Sequence, residues 1–145
     1  MLFHARDLRV EIHGKQILKG VSVDIAAGET LGLVGESGSG KSMTALAAIG
    51  LLPHGATVAG QLPLNGQDLL QLREAEMCKL RGRRIGMVFQ EPMTALNPVR
   101  TIGDQIAEGI FWHMRVSRAV AAERARTLLD RVGLTRARVT GERYP

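Results

Sequence analysis

A glycine-rich stretch, Gly35-Glu36-Ser37-Gly38-Ser39-Gly40-Lys41-Ser42, has the G-x-x-x-x-G-K-[ST] spacing of a loop that holds phosphate. Each residue type has a chemical task in that pattern. Gly35, Gly38 and Gly40 let the backbone curl round an anion with no side chain in the way, so the N–H groups of residues 38–42 can converge on phosphate oxygens. Lys41 would set its ammonium between terminal phosphates, and the Ser42 hydroxyl would ligate a Mg2+ ion bridging them. Ser37 and Ser39 complete the phosphate-binding run.

For this chemistry the loop must join a strand to a helix, because the first N–H groups of a helix lack internal partners and its dipole favours an anion. Thr30-Leu31-Gly32-Leu33-Val34 suits a buried parallel strand, and from Lys41 the residues Leu46, Ile49 and Leu52 recur at helical spacing until Pro53 stops them. A flexible Gly/Ser turn would explain the loop's composition but not these flanks. Upstream, residues 8–12 and 17–25 alternate apolar with polar, predicting two half-buried strands joined by a hairpin at His13-Gly14-Lys15. Ala26-Ala27-Gly28-Glu29 then turns the chain toward the loop. Downstream, residues 53–60 read as a loop, 61–64 as a weak strand before the Asn65-Gly66 turn, and 69–80 as a helix. Ile85-Gly86-Met87-Val88-Phe89 reads as a second buried strand, opened by Arg81, Arg83 and Arg84 and ended at Gln90-Glu91-Pro92. Pro92 and Pro98 bracket a loop. Helices are predicted over 102–114 and 118–132, the second carrying an apolar stripe of Val120, Ala125, Leu128, Leu129 and Val132.

At 145 residues the chain is one domain's worth, and its 45% hydrophobic and 23% charged content is that of a globular protein. Aromatic residues make up only 3%, which argues against a base-stacking surface, so no nucleic-acid partner is expected. The net charge of +5 comes largely from arginines between Arg115 and Arg143, and a solvated helix face explains them. The single cysteine, Cys78, excludes an internal disulfide and reads as a helix-borne thiol with no special chemistry. His4, His13, His54 and His113 are scattered, with no metal-ligand spacing. The N-terminal Met-Leu-Phe-His-Ala-Arg-Asp carries charges where a signal peptide needs an apolar run, and no stretch reaches the roughly 18 apolar residues of a membrane span. A cytoplasmic location follows as an expectation, with any membrane association made through a partner.

Together these segments resemble the nucleotide-binding subunit of ATP-binding cassette (ABC) transporters, over the whole chain. Three stretches carry the resemblance. Ile17-Leu18-Lys19-Gly20-Val21-Ser22-Val23-Asp24-Ile25, followed by Gly28-Glu29, looks like the antiparallel approach to that family's phosphate loop. The second stretch is the loop itself, the family's Walker A motif. The third, Val88-Phe89-Gln90-Glu91-Pro92-Met93-Thr94-Ala95-Leu96-Asn97-Pro98, is close to the loop of the oligopeptide, dipeptide and nickel importer branch. The fold implied is α/β, the N-terminal portion of a P-loop NTPase of ABC type: an antiparallel β subdomain, part of the parallel core sheet and the start of the helical subdomain. Residues 1–90 would be the core with Walker A, and 91–145 the Q-loop and the start of the helical subdomain.

Carried over by the resemblance, Gln90 is the Q-loop glutamine, contacting Mg2+ and the attacking water. A neutral amide suits that role, since it can ligate a hard cation without adding negative charge near phosphate. The strand at residues 85–89 is not the one that carries a metal-binding Asp, because Gln90 stands where that Asp would be. ATP and Mg2+ are the implied cofactors. The implied partners are membrane permease subunits and a second ATP-binding subunit, at the inner face of the cell membrane. Two departures from the family pattern stand out. The aromatic residue usually stacked on adenine is replaced by Ile12, with His13 beside it, and the sequence reaches Arg143-Tyr144-Pro145 without the Leu-Ser-Gly-Gly-Gln signature, the metal-binding Asp, the catalytic Glu or the switch His. Asp130 lies on a helical stripe and does not replace them. Two expectations follow: the N-terminal part of an importer ATPase energising uptake of peptides or nickel complexes, or a non-hydrolysing nucleotide-binding module that docks on a permease or a full-length paralogue. A small kinase or GTPase is disfavoured by the two strands ahead of the loop and by the absence of an Asn-Lys-x-Asp segment.

Overall fold

The computed structural model describes residues 2–90 and 96–134, and the chain divides into two compact units, Met1–Arg81 and Gly82–Pro145. In the first unit, strands β1 (Phe3–Ile12) and β2 (Lys15–Ile25) pair antiparallel. His13 and Gly14 between them take φ of 49° and 78°. Two left-handed residues in a row give the turn whose twist matches right-twisted strands, so the expected hairpin is tight. Strand β3 (Ala56–Gln61) lies antiparallel along β1, with Ile12 opposite Ala56 and Val10 opposite Val58. The expected loop over 53–60 is therefore more than half strand: Thr57 and Val58 suit a ladder, Gly55 precedes it, and Gly60 lies within it where the register with β1 shifts. Short strands β4 (Pro63–Leu64) and β5 (Gln67–Asp68) flank the Asn65-Gly66 turn and give the order β2-β1-β4-β5, with β3 also beside β1.

Ala5, Leu8 and Val10 of β1 are all fully buried, although Ala5 and Leu8 are an odd number of residues apart. A bulge absorbs the extra residue: the register with β2 slips between Ala5 and Leu8, and Asp7 sits at φ 47°. The Asp7 N–H donates to Ser22 Oγ at 3.0 Å, and the Arg9 guanidinium donates to the Asp7 carboxylate at 3.0 Å. On the β3 side the bulge requires Gly60, at φ 109°, because a Cβ there would lie 2.5 Å from the Asp7 carbonyl oxygen. Leu8 and Val10 thereby join Leu18, Leu62, Leu69 and Met77 in this unit's core.

Helix α1 (Lys41–Ala48) adds Thr44 and Ala47 to the buried set, with Ile49 just beyond its end, while Leu46 and Leu52 are half-buried. It ends at Gly50, not at Pro53 as the sequence suggested. The Gly50 N–H reaches Ala47 O at 3.1 Å and the Leu51 N–H reaches Leu46 O at 2.9 Å. Such a left-handed glycine closes the last carbonyls before a proline is needed. The expected single helix over 69–80 is two elements, a 3-10 turn (Leu69–Gln71) and helix α2 (Glu74–Leu80). Asp68 Oδ1 accepts the Leu70 N–H at 3.1 Å and starts the first, and Glu76 Oε2 accepts the Arg73 N–H at 3.0 Å and starts the second. Leu72 between them is extended.

Two sequence expectations fail in a common way. Residues 30–34 form no strand, and of the expected strand at 85–89 only Ile85 makes an isolated bridge; Val34 and Val88 are 99% and 89% exposed. A buried parallel strand needs a hydrogen-bonded neighbour on each side, and among the described residues neither segment has one.

In the second unit, helix α3 (Ile102–Met114) begins where Thr101 Oγ1 accepts the Asp104 N–H at 3.1 Å. Helix α4 (Arg118–Arg131) begins at Ser117, whose Oγ accepts the Val120 N–H at 3.3 Å. It ends at Gly133, with the Leu134 N–H on Leu129 O at 2.9 Å. The two helices pack together as a hairpin. The buried face of α4 is Ala121, Ala125 and Leu129, a strict i, i+4 row, and not the wider stripe expected: Val120 and Leu128 are each 42% exposed and Val132 is 70% exposed. Ahead of α3, the Gln105 carboxamide accepts the Asn97 N–H at 2.8 Å and donates to Asn97 O at 3.0 Å and Arg100 O at 2.9 Å. Residues 91–95 of the expected Q-loop, and the Arg143-Tyr144-Pro145 end, lie outside the described residues.

Candidate phosphate-binding site

The site is built between the end of β2 and α1. Glu29 Oε2 accepts the Ala26 N–H at 2.6 Å, making the turn expected at residues 26–29, and residues 30–34 lead the chain from there to Gly35. The loop then curls. The Ser39 N–H donates to Glu36 O at 3.2 Å, Gly38 takes φ 81° and Gly40 takes φ 96° at the N-cap of α1. Glycine is required at 40 twice over, because a Cβ there would also run into the Leu18 Cδ2 methyl.

The Thr44 N–H is the first in the helix to find its partner, Gly40 O at 2.8 Å, and the Thr44 hydroxyl donates to the same oxygen at 3.0 Å. The N–H groups of Lys41, Ser42 and Met43 thus stand at the open, positive end of the helix. No side chain caps that end, and no acidic residue occupies its first turn. Lys41 folds back across the loop. Its Nζ donates to Gly35 O at 2.8 Å, Glu36 O at 2.7 Å and Ser39 Oγ at 3.2 Å, which uses all three ammonium donors. Ser37 and Ser42 are exposed. The open helix N–H groups, the nearby positive charge of Lys41 and the exposed hydroxyls are chemically suited to an anion such as a polyphosphate.

Gly35, Ser37, Gly38, Ser39, Gly40, Lys41 and Ser42 therefore come together as one loop. Ile12 is half-buried at the end of β1, paired with Lys15 and Ala56. His13 is exposed in the hairpin turn, its imidazole against Gly55, where a Cβ would lie 2.7 Å from Cε1. Gln90 belongs to the second unit and is exposed.

Three contributors escaped sequence reasoning. Leu18 underlies Gly40, and Thr44 braces the helix start; only burial reveals the first, and a hydroxyl three residues past the lysine was the available signal for the second. The third is Arg81, which holds the far end of α1: its Nε donates to Ile49 O at 2.7 Å and a terminal nitrogen to Gly50 O at 2.9 Å, while the guanidinium also grips the Glu74 carboxylate. A cation at a helix C-terminus is favoured by the dipole. The Arg81 hydrogen bond, and secondarily the Cys78 thiol, hold Glu74 below its ordinary carboxylate range; the same bond to Glu74 raises Arg81. Cys78 is an exposed free thiol on α2, its Sγ 3.3 Å from Glu74.

An antiparallel sheet leading into a glycine loop on a helix N-terminus, with a helical hairpin further along the chain, defines an α/β phosphate-loop domain. The chain belongs to the ABC transporter family, whose sequence pattern matches residues 18–143. It is 47% identical over 135 residues to the probable peptide ABC transporter ATP-binding protein y4tR of Sinorhizobium fredii, covering 89% of this chain. It is 46% identical over 128 residues to the oligopeptide transport ATP-binding protein AppD of Bacillus subtilis, and 41% over 148 residues to OppD of Escherichia coli, covering 87% and 99% of this chain. The chain spans 40%, 39% and 44% of the lengths of these three relatives. Among solved structures, the dimeric ATP-binding cassette MJ0796 in a post-hydrolysis state with ADP and Pi matches with a TM-score of 0.79 at 24% identity, covering 99% of this chain and 62% of that one. The fold is thus that of an ABC ATPase cassette, in its N-terminal portion. Among the described residues no helix is long and apolar enough to cross a membrane.

Proposed function

We propose that this chain carries the ATP-binding cradle of an ABC importer subunit that energises uptake of peptides or related solutes such as nickel complexes. The observation that carries this reading is the loop over residues 35–42, with Lys41 drawn across it and three helix N–H groups open behind it. The names of its peptide-transport relatives support the substrate class.

In this reading the N–H groups of residues 38–42 bind the phosphates, Lys41 neutralises the terminal ones, and Ser42 holds Mg2+. Gln90 adds a Mg2+ and water contact, and Ile12 and His13 lie against adenine. Residues 1–90 serve as the core and 91–145 as the Q-loop and the start of the helical subdomain. Permease subunits and a second ATP-binding subunit are the partners, which places the assembly peripherally at the inner, cytoplasmic face of the membrane. Hydrolysis in this family draws on the signature, the metal-binding Asp, the catalytic Glu and the switch His, none of which is among these 145 residues. Their own contribution is nucleotide binding.

Equilibrium titration of the chain with ATP in Mg2+, beside Lys41→Ala, tests the reading. Saturable binding weakened at least tenfold by Lys41→Ala is expected, since a hydrogen bond to a charged group is worth about 1.5–3 kcal/mol. Equal affinities, or no binding to the unaltered chain, would refute it.

A further inference from the structure

We infer that the Ser39 side chain is a positioning residue for the Lys41 ammonium, a role that rests on the nucleotide-binding reading and adds a side-chain determinant to it. The three acceptors of Lys41 Nζ differ in kind. Gly35 O and Glu36 O, at 2.8 Å and 2.7 Å, are backbone groups that any sequence would supply. Ser39 Oγ, at 3.2 Å, is the one side chain of the three, and so the one acceptor that a residue's identity decides.

The Ser39 hydroxyl is held where it is needed. Its own N–H is tied to Glu36 O at 3.2 Å. Across the loop, a Cβ on Gly35 would come within 2.7 Å of Ser39 Oγ and 3.3 Å of Ser39 Cβ. Gly35 and Ser39 are therefore matched: the bare Cα makes room for the hydroxyl, and the hydroxyl crosses that space to the ammonium. With alanine at 39 the packing against Gly35 would survive. Lys41 would then hang on two carbonyls from adjacent residues, and its flexible four-carbon stem would have to be ordered when the ligand arrives. A bond that pre-sets the cation acts on ligands whose phosphates reach it. ATP and ADP meet that condition; AMP, with a single phosphate, does not engage Lys41 in the same way.

Binding of ATP, ADP and AMP in Mg2+ to the 145-residue chain, as wild type, Ser39→Ala, Lys41→Met and the double variant, tests this. Ser39→Ala should weaken ATP and ADP about three- to tenfold, the range of a net hydrogen bond, and leave AMP unchanged. It should cause no further loss once Lys41 is Met. Ser39→Cys, similar in size with a weaker acceptor, should fall between serine and alanine. Wild-type affinity in Ser39→Ala, with Lys41→Met impaired, overturns the role of Ser39 and leaves the cradle standing. So does a loss that persists in the Lys41→Met background, which would mark a purely structural effect. Failure of the wild-type chain to bind ATP overturns the cradle and the Ser39 role together.

Discussion

Gly40→Ala strikes the one residue at which the hairpin, the helix start and the phosphate loop meet. Gly40 is at φ 96°, and a new Cβ would collide with Leu18 Cδ2, while Leu18 itself is 2% exposed. Left-handed backbone at a residue with a Cβ costs about 1–2 kcal/mol. Forcing a methyl into a filled core costs about 1–3 kcal/mol more. Lower unfolded-state entropy with alanine returns about 0.4–1 kcal/mol, so a net loss of about 1–5 kcal/mol is expected. The two causes separate in a double-mutant cycle. Leu18→Val removes the colliding methyl and alone costs about 0.5–1.5 kcal/mol; combined with Gly40→Ala it should relieve the collision, so the pair costs about 1–3 kcal/mol less than the sum. Urea unfolding followed by far-ultraviolet circular dichroism gives all four stabilities. Additivity within about 0.5 kcal/mol would show that Leu18 is not what excludes a side chain at position 40.

Arg81→Met should destabilise the first unit by about 1–3 kcal/mol, because two carbonyls at the end of α1 lose a charged donor; an unchanged urea midpoint would contradict this. Glu74 is held below its ordinary range by Arg81, so its contribution is present above the unfolded carboxylate pKa of about 4.3 and is lost as pH falls through the lower folded value. Unfolding midpoints between pH 6 and pH 3 should therefore fall less steeply in Glu74→Gln, and parallel profiles would count against the pairing. Gln105→Ala removes three hydrogen bonds that tie Asn97 and Arg100 to α3, and should cost about 1–2 kcal/mol; faster amide hydrogen exchange confined to residues 97–105 is the local readout.

The sequence was most legible where local chemistry decides structure. Turn residues located the hairpin at His13 and Gly14, and Thr101 and Ser117 started α3 and α4 where expected. The left-handed turns at Gly38 and Gly40 and the helix start at Lys41 also fall where the glycine and lysine spacing put them. Prediction failed where a partner decides. Residues 30–34 and 85–89 have strand-like composition, but composition alone supplies no neighbouring strand. Of the buried α4 row, Ala125 and Leu129 lay in the expected stripe and Ala121 did not, and Arg81 was missed because its acceptors lie more than thirty positions earlier in the chain.

The most direct test of the central claim is an ATP titration of the isotope-labelled chain, following backbone amide resonances in the presence of Mg2+. The largest shifts should fall on residues 38–43, whose N–H groups line the loop and the open helix end, and should be lost in Lys41→Ala. Saturating ATP that leaves those amides unmoved, or moves chiefly residues elsewhere, would contradict the assignment of residues 35–42 as a nucleotide cradle.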